Sequence, residues 1–156
     1  MADRYRIRRV ERADLEALAG AEQRSFSDPW SRAGIAELFE NDTVVGHVVV
    51  EGGPEMRLAG YVFARVVAGE AEILNIAVVP EHRQAGLGRR LLEEVLVSVR
   101  SGGAQSVFLE VRESNEAAKR LYGSLGFRPV GFRADYYRKP REHALVLRLD
   151  FEMVLI

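Results

Sequence analysis

Apolar and polar positions fall into blocks along the chain, and the blocks predict about seven strands and about four helices. Tyr5–Val10 alternates weakly and reads as a first strand. Leu15, Leu18, Ala19 and Glu22 fall at helical spacing, which predicts a helix over Ala13–Arg24. Pro29 forces a turn within Ser-Asp-Pro-Trp-Ser at 27–31, and Ser31 is placed to cap a second helix reaching Glu40. Strands follow over Thr43–Glu51, Leu58–Val67 and Glu72–Val79, separated by turns at Gly52–Pro54 and Ala68–Gly69. Connections this short imply an antiparallel meander.

The last of these strands is apolar from Ile73 to Val79 except at Asn75, as expected of a strand buried on both faces. Pro80 ends it, since proline cannot donate to a sheet ladder. A polar turn, Glu81–Ala85, precedes Gly86 and Gly88, which open a helix with apolar positions Leu87, Leu91, Val95 and Val99. That helix stops at Gly102–Gly103. The strand Ser106–Val111 is reached through a helix, so it should lie parallel to Ile73–Val79. Ser114 or Asn115 then caps a helix carrying Ala118, Leu121, Tyr122 and Leu125, and Gly126 closes it. Phe127–Ala134 and His143–Phe151 read as final strands separated by a polar loop containing Pro140. The expected fold class is mixed α/β: one domain over residues 1–156, its sheet antiparallel at the start and parallel at the centre.

Composition narrows the chemistry. At 156 residues, 47% hydrophobic and 29% charged, the chain has the size and balance of one globular domain. No apolar run approaches the ~20 residues of a membrane span, and the start of the chain lacks the apolar core of a signal peptide. The expectation is a cytoplasmic protein without a membrane partner. A net charge of −1 gives no pull toward nucleic acid. With no cysteine, a covalent thiol intermediate is excluded. His47, His82 and His143 stand far apart with no HExxH spacing, so no metal is expected.

A strand, a glycine turn and a helix N-terminus together make an anion site, because free backbone N–H groups point outward there. Three phosphate motifs compete for it. A P-loop requires lysine and a hydroxyl residue after the second glycine, and neither follows Gly88. A dinucleotide site has Gly86-Leu87-Gly88 and an acidic residue, Glu110, in the next strand. Against it, Leu91 holds the third glycine position and six residues separate the strand from Gly86. The third motif is Arg-x-x-Gly-x-Gly, here Arg83, Gly86 and Gly88.

That motif resembles the phosphate turn of the GNAT N-acetyltransferases. The Ser-Asp-Pro-Trp-Ser loop, LNIAV at 74–78, LEVRESNEAAKRLYGSLGF at 109–127 and DYY at 135–137 narrow the resemblance to bacterial RimI-type enzymes. These acetylate the N-terminal alanine of a small-subunit ribosomal protein. The resemblance implies acetyl-coenzyme A as cosubstrate and a protein N-terminus as acceptor. It implies that Arg83, Gln84, Ala85, Gly86, Leu87, Gly88 and Arg89 wrap the pyrophosphate, and that the backbone of Ile76, Ala77 and Val78 pairs with the pantetheine arm. The next strand then splays away to open the cleft. One departure is Gln84-Ala85, where many relatives carry two adjacent basic residues. The same fold acting on a small amine, and a Rossmann-like binding module, remain as alternatives. The oligomeric expectation is a monomer or weak dimer.

Direct acetyl transfer needs a base for the amine, a donor for the oxyanion and an acid for the thiolate. Glu110 stands near the C-terminal end of a parallel strand among apolar neighbours, which suits a base with a raised pKa. The resemblance gives its counterpart that role; the alternative is a glutamate paired to Arg112 or another arginine. Glu72 is the second choice, as base or amine anchor. Tyr122 shares a face with Ala118, Leu121 and Leu125, which by spacing favours a packing role. Its match to the family's Leu-Tyr-x-x-Leu-Gly-Phe block makes it the candidate acid. The backbone N–H of Val78 is the candidate oxyanion donor. Asn115 either caps its helix or also reaches coenzyme A. Phe26, Trp30, Tyr136 and Tyr137 either shape an acceptor groove or pack loops on the core.

Overall fold

The computed structural model describes residues 4–53 and 56–151; Pro54, part of an expected turn, lies outside them. The elements are β1 (Tyr5–Arg9), α1 (Leu15–Ser25), α2 (Arg32–Phe39), β2 (Val44–Glu51), β3 (Arg57–Val67), β4 (Glu70–Val78), α3 (Leu87–Ser101), β5 (Ser106–Arg112), α4 (Glu116–Ser124), β6 (Arg128–Arg138) and β7 (Arg141–Asp150). The strands form one sheet in the order β1-β2-β3-β4-β5-β7-β6. Every neighbouring pair is antiparallel except β4 and β5, the pair connected through α3.

Each face of the sheet is covered by one helix pair. The apolar stripe of α3 (Leu87, Leu91, Val95, Val99) packs with Val107, Leu109 and Val111 of β5 and Tyr122 of α4. Leu18, Ala21 and Ile35 of α1 and α2 pack on Val48, Tyr61 and Ala77 from the other side. Fully burying one such leucine contributes about 1.5–3 kcal/mol. The caps follow the side-chain chemistry. Ser31 accepts from the Gly34 N–H at 3.0 Å, and Asn115, rather than Ser114, accepts from the Ala118 N–H at 3.1 Å. Helix α1 starts at Leu15 rather than Ala13, because a 3-10 turn over Arg12–Asp14 precedes it.

Two expectations are corrected. Strand β4 begins at Glu70, because Ala68 and Gly69 both take positive φ (51° and 81°) and close a two-residue hairpin. The polar loop around Pro140 is a continuation of the last two strands, which reach Arg138 and resume at Arg141. Strand β6 is an edge strand with both faces largely exposed, so its polar residues carry no alternation to read.

One irregularity governs the centre of the sheet. Phe63 pairs with Asn75 and Ala64 with Ile73, leaving Leu74 as an extra residue in β4. Before this bulge Ala71 and Ile73 face α3; after it Ile76 and Val78 do, while Leu74, Ala77 and Val79 face α1 and α2.

Candidate active site

The parallel pairing of β4 and β5 is short. Glu70 pairs with Ser106, Ala71 with Val107 and Glu72 with Phe108, and there the ladder stops. Both strands run on, so they diverge and leave a cavity of about 640 Å³ between them. Residues from both sheet faces line it: Asn115 and Tyr122 from the α4 side, and Glu22, Phe26, Trp30, Tyr136 and Tyr137 from the side of α1 and the β6–β7 hairpin. The gap therefore reaches both faces of the sheet. All seven residues named from the sequence for catalysis and acceptor binding (Glu110, Tyr122, Glu72, Phe26, Trp30, Tyr136 and Tyr137) line it.

The open edge of β4 presents amides that no neighbouring strand pairs. The Val79 N–H donates to the Ala59 carbonyl at 2.8 Å, so by strand alternation Ala77 also points its N–H at β3. Ile76 and Val78 point theirs toward the gap. The Ile76 N–H is met by Asn75 Oδ1 at 3.1 Å, and the Val78 carbonyl accepts from Arg83 Nε at 3.1 Å.

Beyond Val79 the chain forms the phosphate-type turn. Gln84 and Gly86 both take positive φ, 66° and 74°, and Gly86 is the N-cap of α3. Residues 83–86 are exposed, and the first N–H groups of the helix have no acceptor inside it. A Cβ on Gly88 would meet only Leu121 at 3.5 Å and Val78 at 4.0 Å, ordinary contacts. The helix N-terminus thus opens beside the outer end of β4. Arg89 turns away, to Ser124 at 2.8 Å and Glu93 at 3.0 Å.

Glu110 is 13% exposed, on a strand flanked by β4 and β7. Arg133 Nη2 lies 3.4 Å from its Oε1, while Arg112 pairs with Glu142 instead. Burial raises the Glu110 pKa above the ordinary carboxylate value; Arg133 opposes this and Glu72 adds to it. Tyr122 is 7% exposed and packs edge-on against Phe127, 5.8 Å between centroids. It belongs to the core as spacing suggested, yet it also lines the cavity, and no described group hydrogen-bonds its hydroxyl. Burial pushes its pKa up to about 12.

A family model described as the acetyltransferase (GNAT) family matches residues 7–127. The chain belongs to the GNAT acetyltransferases. As a member of that family it is an acetyltransferase using acetyl-coenzyme A. It is 36% identical over 149 residues to the "[Ribosomal protein bS18]-alanine N-acetyltransferase" of Escherichia coli (strain K12), covering 94% of this chain and 98% of that one. It is 38% identical over 146 residues to the "N-alpha-acetyltransferase RimI" of Mycobacterium tuberculosis, covering 90% and 89%. The crystal structure of the Escherichia coli ribosomal-protein-S18-alanine N-acetyltransferase superposes with a TM-score of 0.87 at 35% identity, over 96% of each chain.

Within this acetyltransferase, sequence reading missed residues that hold the cavity lining in place, Arg65, Arg133 and Glu22 among them. Three residues of β6, 134–136, oppose His143 alone, and this bulge carries Tyr136 to the cavity beside Tyr137. Arg112 stacks 4.3 Å from the Tyr137 ring and donates to the Pro140 carbonyl at 2.9 Å. Arg133 bridges Glu110 and the Tyr136 ring. Glu72 is held by Arg65 at 2.8 Å. Glu22, 1% exposed, accepts from Tyr61 Oη, from Asn75 Nδ2 at 2.8 Å and from the Trp30 N–H at 2.8 Å. Its signal was present: a carboxylate at an otherwise apolar helix position.

Proposed function

We propose that the protein transfers the acetyl group of acetyl-coenzyme A to the N-terminal α-amine of a protein, the N-terminal alanine of a small-subunit ribosomal protein in particular. The observation that carries this reading is the gap beyond Glu72 and Phe108, with Glu110 and the unbonded Tyr122 hydroxyl both on its lining. The names of the relatives at 33–38% identity support the acceptor.

The diphosphate rests on the amides of 84–89, where free N–H groups and the α3 dipole favour negative charge. Gly88 has room for a side chain, so its lack of one is explained by close approach of the ligand. The pantetheine arm pairs with the outward amides of β4, of which Val78 N–H is the oxyanion donor and Ile76 N–H the other. Ala77 contributes its place in the strand rather than a hydrogen bond. Arg83 steadies the turn on Val78, and Asn115 caps the helix that brings Tyr122.

The amine enters from the side of Phe26, Trp30, Tyr136 and Tyr137. With a pKa near ~8, it yields a proton to a weak base near neutral pH. Glu110 accepts that proton, directly or through water. The amine nitrogen forms a bond to the thioester carbonyl carbon, the C–S bond breaks and Tyr122 protonates the leaving thiolate; the second proton that the nitrogen sheds on becoming an amide restores the Tyr122 phenol. The raised Glu110 pKa suits the base.

Incubation with acetyl-coenzyme A and peptides beginning with Ala, Ser or Met, read by mass spectrometry, tests the reading. Acetylation of the Ala peptide at its α-amine is expected. Transfer only to small amines, or none, overturns it.

A further inference from the structure

We propose that Glu22 is the counter-charge that selects a protonated amine at the acceptor side of the cavity. This rests on the acetyl-transfer reading and adds a specificity residue to it. The cavity is lined by four carboxylates, and three have cationic partners. Glu72 is paired with Arg65 at 2.8 Å, Glu110 with Arg133 at 3.4 Å and Asp28 with Lys139 at 3.8 Å. Glu22 is the most buried of the four and forms no ion pair with any described residue. Arg138, which also lines the cavity, is exposed on the β6–β7 hairpin.

The partners of Glu22 are neutral donors: a phenol, an amide and a backbone N–H. All three neighbours carry hydrogens to give, and Glu22 offers its oxygens as acceptors. Oε1 takes two of the three donors and Oε2 takes one, so Oε2 retains acceptor capacity. Buried charges are ordinarily compensated by an opposite charge. Here the network leaves the compensation to whatever enters. The ligand class that fits is a primary ammonium, small, cationic and rich in donors. An N-terminus arrives in that form at neutral pH, since its pKa is near ~8. Its proton then passes to Glu110 in the scheme above, and Glu22 holds the nitrogen without taking that proton. The same carboxylate ties the acceptor loop, through Trp30, to the β4 bulge, through Asn75, so the counter-charge is held in place by both halves of the site.

The test compares two peptides in the presence of coenzyme A, which blocks turnover. One begins with Ala; the other is identical but has its α-amino group replaced by hydrogen. Binding is measured by calorimetry for wild type, Glu22→Gln and Glu110→Gln. Wild type is expected to bind the amine peptide about tenfold tighter, and to keep that preference at high salt because buried charges are screened little. Glu22→Gln is expected to lose the preference, with its affinity for the des-amino peptide within about twofold of wild type, and Glu110→Gln to retain it. A structural role alone would weaken both peptides equally. Equal binding of the two peptides by wild type overturns the proposal without any variant, as does a preference that survives in Glu22→Gln. Acetylation of the Ala peptide by wild type reports separately on the proposed activity.

Discussion

A Cβ placed on Gly60 would lie 2.7 Å from the Ala77 carbonyl oxygen, closer than any real contact of that kind. Leu91 Cδ1 and Val49 Cγ1, each at 3.2 Å, close the remaining space. Gly60 pairs with Val78, so it sets how closely β3 can hold the outer end of β4. Gly60→Ala should therefore cost about 1–3 kcal/mol and lower Tm by about 3–10 °C. Circular dichroism melting checks this, and an unchanged Tm would mean that the sheet absorbs the methyl group.

The acid limb of kcat/KM should move with the charges around Glu110. Its pKa is raised first by burial, with Glu72 adding and Arg133 opposing. Removing the cation in Arg133→Ala should shift the limb to higher pH, and Glu72→Gln should shift it lower. Glu110→Gln should leave only the amine's own titration in that limb and lower the rate about 100-fold. The acceptor amine titrates in every variant, so differences among the profiles isolate Glu110. Three superimposable profiles would remove it from the chemistry.

The same shift has a sign in stability. A carboxyl whose folded pKa is raised stabilises most below its unfolded pKa, and that contribution is lost as pH rises through the folded value. Glu110 is thus a cost at neutral pH, and Glu110→Gln should melt at or above the wild-type temperature there. At pH 3 the difference should vanish. A large drop in Tm at pH 7 would mean that the Arg133 pairing outweighs burial.

Tyr122→Phe separates the hydroxyl from the ring. Packing against Phe127 is preserved, so Tm should change little and acetyl-coenzyme A affinity should hold. Loss of the proton donor should lower kcat about 10- to 100-fold. Stopped-flow measurement of thiol release is the readout, and a wild-type kcat would leave Tyr122 as core alone.

Gly86 and Gly88 should fail in opposite ways. Alanine at Gly86 must adopt φ near the observed 74°, at about 1–2 kcal/mol in stability. Alanine at Gly88 meets no protein atom closer than 3.5 Å and gains about 0.5–1 kcal/mol of helix propensity. Gly88→Ala should keep or raise Tm while weakening acetyl-coenzyme A binding at least about tenfold. Isothermal titration read beside thermal melts distinguishes the two.

The sequence was legible where local chemistry and burial agreed. The α3 stripe, the Ser31 cap and the parallel crossing from β4 to β5 follow from apolar period, hydroxyl position and connection length. The β6–β7 hairpin did not, because an exposed edge strand has no inner face to impose alternation. The pairing of Glu110 with Arg133 rather than Arg112 was also invisible: it depends on a bulge that opposes 134–136 to one residue of β7. Glu22 carried a signal, a charge on an apolar helix face, but its partners lie 8, 39 and 53 residues away in the chain.

Leu74 bends β4 at its middle without disturbing the alternation of its two faces. Removing that single residue would let Ile73, opposite Ala64, run straight on to Asn75, opposite Phe63, so Ile76 and Val78 would stay toward α3 and Ala77 toward α1, and only the bend would be lost. A chain one residue shorter at this point should therefore still pack both faces of the sheet, and what it would lose is the direction in which residues 76–78 leave β5.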